Sequence, residues 1–141
     1  MAQNCQIDPS MQFTESGIAS ATINPGCAVN LTTDYDGITN TYVAITSGYA
    51  RGIAMGVRVG GGTQEAYAAG DVMQIAKNSS EAIALLGGTA CTSLQIPLKA
   101  TTAGALIPCT TNNDAAVAWP METGAANTYI RVQVCNFTWG Q

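Results

Sequence analysis

Histidine is absent from this chain, which removes the commonest general base and the commonest transition-metal ligand together. Charge is scarce as well: five Lys/Arg and nine Asp/Glu make up 10% of 141 residues, against about 25% in an average globular protein. The formal net charge is −4, and the only cations are Arg51, Arg58, Lys77, Lys99 and Arg131. Nothing here can neutralise a run of phosphates, so a nucleic-acid partner is not expected. No apolar run reaches the roughly 18 residues of a membrane-spanning helix. The opening stretch MAQNCQIDPSMQF has neither the basic nor the apolar region of a secretory signal. Neither a membrane partner nor secretion is expected.

CxxC pairs are also missing. The five cysteines, Cys5, Cys27, Cys91, Cys109 and Cys135, are widely spaced and read as small buried apolar residues, with a disulfide or intersubunit pair as the alternative. Carboxylates are spread singly, apart from Asp34 and Asp36. Asp34-Tyr35-Asp36-Gly37 looks like the start of a calcium loop, but no Glu closes a twelve-residue loop, and a plain Asp-Gly turn is the simpler reading. Gly56-Val57-Arg58-Val59-Gly60-Gly61-Gly62 suggests a phosphate cradle, yet no GK[ST] follows, so it reads as a hairpin tip. The three Asn-x-Ser/Thr matches, at Asn30, Asn78 and Asn136, are the chance product of a chain rich in Asn and Thr. With no base beside a nucleophile and no motif pairing two carboxylates, no enzyme activity, cofactor or metal is expected.

What is present is Ala (22), Thr (17) and Gly (15). A surface so lightly charged reads as one covered by partners, since exposed apolar patches mark contacts. The length suits one domain with its own core. Residues 1–33 hold no lasting period and read as an extended N-terminal arm with a short strand near Ala28–Leu31; residues 34–141 read as a β domain. The scattered anchors Ile7, Met11, Phe13, Ile18 and Ile23 are assigned to contact with a partner.

From Thr41 onwards the pattern is strand-like. Thr41–Thr46, Gly52–Val59, Val72–Ala76 and Ala82–Leu86 are β-rich runs ending at glycines or polar tips. Ala82–Leu86 is too short for a stable helix, so it reads as a strand. The last third, Leu94 to Cys135, reads as a four-strand meander. It starts at Leu94-Gln95-Ile96-Pro97-Leu98, where Pro97 demands an edge or a solvent-facing position, and ends at Tyr129–Cys135, whose alternation puts Ile130, Val132 and Val134 on one face. Carried on, that parity would bury Asn136 and Thr138 and turn Phe137 and Trp139 outwards. Either a bulge resets the parity, or the two rings anchor an oligomer interface.

Three segments carry a family resemblance: Lys99-Ala100-Thr101-Thr102-Ala103-Gly104-Ala105-Leu106-Ile107-Pro108, then Ala116-Val117-Ala118-Trp119, then Thr123-Gly124-Ala125-Ala126-Asn127-Thr128-Tyr129-Ile130-Arg131-Val132. Together they resemble the closing segment of the small capsid decoration, or cement, proteins of tailed bacteriophages. The resemblance covers the last third and reaches loosely back to Tyr67–Met73; residues 1 to about 60 lie outside it. The chain departs from the pattern at Ala118 and Asn127, where many members have glycine.

Residues and resemblance together lead to an all-β fold, a small β-barrel or tulip-like sandwich of about eight short antiparallel strands with an N-terminal arm. The resemblance implies a homotrimer on the outer surface of the virion head, with the major capsid protein as partner. A tail, fibre or baseplate β-module is the first rival. A secreted carbohydrate-binding module is the second, disfavoured because Trp119 and Trp139 are few and sit within strand patterns.

Overall fold

The computed structural model describes residues 13–32, 39–56 and 65–140. It is all-β, with ten strands among these residues. Five of them, β1 (Thr14–Ala19), β2 (Ala28–Leu31), β3 (Thr41–Ala44), β4 (Gly52–Ala54) and β5 (Val72–Ala76), close a barrel in the order β1-β3-β2-β4-β5. The other five, β6 (Glu81–Leu85), β7 (Leu98–Ala100), β8 (Leu106–Pro108), β9 (Ala115–Pro120) and β10 (Tyr129–Thr138), form a sheet in the order β6-β10-β9-β7-β8. That sheet curls until Leu86, just past β6, bridges Leu106 of β8. All pairings are antiparallel except β1 with β3.

Much of the expected arm is barrel wall. Residues 14–19 and 28–31 are strands β1 and β2, and β1 pairs with β5 from Thr14↔Ala76 to Ile18↔Val72. The segment carries no visible period because the inward positions of β1 are Glu15, Gly17 and Ala19, none of them a large apolar side chain. Tyr42 of β3 fills the space instead: it is fully buried, and its ring lies against Gly17. Residues 1–12, with Ile7, Met11 and Cys5, lie outside the described residues. So do Asp34, Asp36 and residues 57–62 of the glycine-rich run.

Two cores result. Ala19, Ile23, Val29, Tyr42, Ala54, Met73 and Ile75 fill the barrel. A larger cluster joins the barrel to the sheet, with Ala28, Ala50, Ile53 and Ala76 of the barrel packed on Ala84, Leu98, Leu106, Val117, Ile130, Val132 and Val134. Ile130, Val132 and Val134 are buried, as their alternation requires.

The last third departs from a meander in one connection. β9 pairs with β7 rather than with β8, so the β8–β9 link steps over a strand. The strand expected from Leu94 begins only at Leu98: Leu94 and Gln95 form a turn in which Gln95 N–H donates to Ser93 Oγ at 3.1 Å. Pro97, expected at an edge or facing solvent, is buried just before β7 and uses its carbonyl, which accepts from Cys109 N–H at 2.9 Å.

Candidate interaction surfaces

One outward surface is the far side of the β6-β10-β9 sheet. Cross-strand pairs share a face, and the pairs Leu85↔Tyr129, Ile83↔Arg131, Glu81↔Gln133 and Gln133↔Trp119 lie opposite the buried Ile130 and Val132. Ile83, Leu85, Tyr129 and Trp119 are half-buried there, and Arg131 is exposed beside Glu122, its partner at 3.4 Å.

At the end of this sheet the register slips: Val134 faces Ala118 while Phe137 faces Ala116, three steps on β10 against two on β9. A bulge is therefore present. Phe137 stacks on Trp119 of its own chain, with centroids 5.3 Å apart and planes 16° from parallel. Trp139 is half-buried, and its backbone is tied to the neighbouring tip through Trp139 N–H to Asp114 O at 2.9 Å and Asn113 N–H to Trp139 O at 2.8 Å. Asp114 braces that tip, accepting from Thr110 N–H, Thr111 N–H and Lys99 Nζ at 2.9 Å each. Those bonds, led by the one from Thr111, hold its carboxyl below the usual range.

The bulge also frees Asn136 to act as a clip that the sequence pattern did not show. Its amide bonds both ways with Ala50, Ala50 N–H to Oδ1 at 2.8 Å and Nδ2 to Ala50 O at 2.9 Å, and it donates to Asn78 Oδ1 at 2.7 Å. Two of the three Asn-x-Ser/Thr side chains are thus spent on each other. Tyr49 and Thr138 join their hydroxyls at the same junction.

A second surface lies on the barrel. Ile18 is half-buried there, paired with Val72, which is 75% exposed. Phe13, 47% exposed, marks the start of β1. Ile23 needs correction as a partner contact. It is 1% exposed, bridges Tyr67 and packs inside the barrel, so its apolar surface is already spent.

The titratable groups are arranged for structure. Glu15 accepts from Arg51 Nη2 at 2.7 Å and from Tyr42 Oη at 2.6 Å, with Lys77 Nζ at 3.7 Å. The Arg51 hydrogen bond is the main reason its carboxyl falls to about 2. Burial, and then Glu15, push the Tyr42 hydroxyl up, away from any acid–base role near neutrality. Burial also lifts the Cys27 and Cys109 thiols to about 11, which keeps them protonated and poorly nucleophilic. Among the described residues no three His, Cys, Asp or Glu side chains gather as a metal site.

A closed five-stranded barrel packed on a curled sheet defines the fold class, and that class has a solved counterpart. It is the N base of the head fiber gp8.5 of bacteriophage phi29, similar with a TM-score of 0.66 over 93% of this chain and 100% of that one, at 9% identity. No family model and no curated protein matches the sequence.

Proposed function

We propose that this chain is a structural protein of a bacteriophage head, which sits on the outer surface of the shell, binds the major capsid protein and ties adjoining capsid subunits together. The observation carrying this is the fold likeness to a head fiber base over nearly the whole chain. The closing-segment resemblance to capsid decoration proteins supports it independently. The chemistry agrees, since ionic groups and thiols serve the fold and the half-buried aromatics face outwards. In this reading the protein is a homotrimer, with Phe137 and Trp139 at contacts between copies and the Phe13 and Ile18 region of the barrel turned to the shell. Small contacts repeated over a closed lattice then resist rupture through multivalency.

Particles made with and without the protein test this reading. Loss of the protein is expected to lower the temperature and chelator concentration at which heads release DNA. Absence of the protein from purified virions, or unchanged head resistance, would sink the proposal.

The structural neighbour, a head fiber base, favours a second reading, in which the domain seats a fibre on the head. A fibre base should project an appendage in electron micrographs of particles, whereas a cement protein should form a low layer on the lattice.

A further inference from the structure

Ser80 is the one polar side chain buried completely among the described residues. A buried hydroxyl is costly unless its hydrogen bonds are made, and Ser80 makes two with a single residue 67 positions away. Phe13 N–H donates to Ser80 Oγ at 2.8 Å, and the hydroxyl donates back to Phe13 O at 2.9 Å. Phe13 O also accepts from Lys77 N–H at 2.7 Å. Three hydrogen bonds therefore fix the Phe13 backbone, immediately before β1 starts at Thr14.

The turn that carries Ser80 is held from its other side by the sheet. Ser80 N–H closes the turn on Lys77 O at 3.0 Å, Ser79 N–H donates to Val134 O at 2.7 Å, and Val134 N–H donates to Ser80 O at 2.8 Å. Asn78 Oδ1 accepts from Asn136 N–H at 3.1 Å and from Asn136 Nδ2 at 2.7 Å. Ser79 has a φ of 80°, a conformation that a residue with a side chain keeps only where its surroundings enforce it. The hydroxyl thus stands on a rigid base in β10 and reaches across to the first turn of chain before the barrel wall. The Phe13 ring itself is 47% exposed. An exposed ring on an immobilised backbone is preorganised for contact, because little freedom remains to be lost on binding.

We propose that Ser80 is a positioning residue for the shell contact and acts through Phe13: its hydroxyl fixes the Phe13 backbone and so aims the ring at an apolar site on the major capsid protein. The inference rests on the capsid reading, in which the Phe13 region of the barrel faces the shell. It adds to that reading a buried residue that touches no partner and still sets the affinity.

Binding of the full chain to heads that lack it, followed by sedimentation, tests the assignment in a double-mutant cycle. Phe13→Ala and Ser80→Ala are each expected to weaken binding about tenfold. The double variant is expected to bind no more weakly than Phe13→Ala alone, since a hydroxyl that acts through the ring then has nothing left to position. Unchanged binding by either single variant, or losses that add in the double variant, overturns the proposal. Amide hydrogen exchange supplies a second readout: in Ser80→Ala the Phe13 N–H is expected to exchange about tenfold faster, and an unchanged rate also overturns the proposal. The Leu85 N–H, which meets Gly26 O at 2.8 Å where the sheet joins the barrel, controls for folding. If Leu85 loses protection in Ser80→Ala, Ser80→Cys takes its place in the cycle, because a thiol fills the site and bonds only weakly. Wild-type chain that fails to bind heads overturns the capsid reading and this assignment with it, whereas wild type and Ser80→Ala binding equally well overturns the assignment alone.

Discussion

Glu15 ties together the end of the barrel where β1 begins, β4 is about to start and β5 stops. Its carboxylate joins Arg51, Lys77 and Tyr42, and its pKa falls from the ordinary 4.5 to about 2. Because the folded value is the lower one, this group stabilises the fold above about pH 4.5, and the contribution is lost as pH falls towards 2. Allowing for partial solvent screening, the loss should be about 2 kcal/mol. Urea midpoints over a pH series check this: the Glu15→Gln variant is expected to show a shallower acid slope than wild type, and parallel curves would refute the assignment. Gly17, one inward position further along, has a different reason to be what it is. A Cβ there would sit 2.4 Å from the Tyr42 ring and 2.5 Å from Asn40 O. Gly17→Ala is expected to cost about 3 kcal/mol by overpacking, read as a lower thermal midpoint. Neither role shows in the sequence, where an isolated Glu and Gly in an aperiodic stretch look like a solvated arm. Ile23 illustrates the same limit, because an apolar residue without periodic neighbours reads equally well as a core residue or as a partner contact.

Among the strands, β5, β6 and the first half of β10 were legible because alternation or β-rich runs ended at recognisable turns. β1 was not, since its inward row is Glu15, Gly17 and Ala19. The parallel pairing of β1 with β3 and the step of β9 across to β7 were equally hidden, because both depend on partners distant in the chain. β10 shows where alternation stops being informative. Up to Val134 its parity holds; then the bulge hands control to the Asn136 amide, and Phe137 stacks on Trp119 of its own chain. Removing that clip tests its weight. Asn136→Ala leaves Ala50 N–H and O without their side-chain partner, and the expected cost is about 2 kcal/mol in chemical denaturation. A loss of the usual surface size, within about 0.5 kcal/mol, would show that solvent replaces the amide.

For the molecule as a whole, the division into an arm and a β domain gives way, in the described residues, to two β bodies sharing one core. The cluster from Ile53 and Ala76 to Val132 and Val134 crosses between them. Ile53, fully buried on β4, is a direct probe of that sharing. Ile53→Ala is expected to cost about 3 kcal/mol and to lower the unfolding midpoint equally by Trp119 fluorescence in the sheet and by tyrosine absorbance, which includes Tyr42 in the barrel. Separated transitions would mean that the barrel and the sheet unfold independently.

The closing seam of the barrel also sets an order of events during synthesis. β1 is synthesised well before its antiparallel mate β5, which ends at Ala76. Until then β1 is paired as a strand with β3 at Ile18↔Thr41 and Ala19↔Tyr42 but not with β5, and Glu15 still lacks Lys77. The growing chain therefore passes through a stage with a waiting first strand, in which pairing with the wrong partner competes with closure.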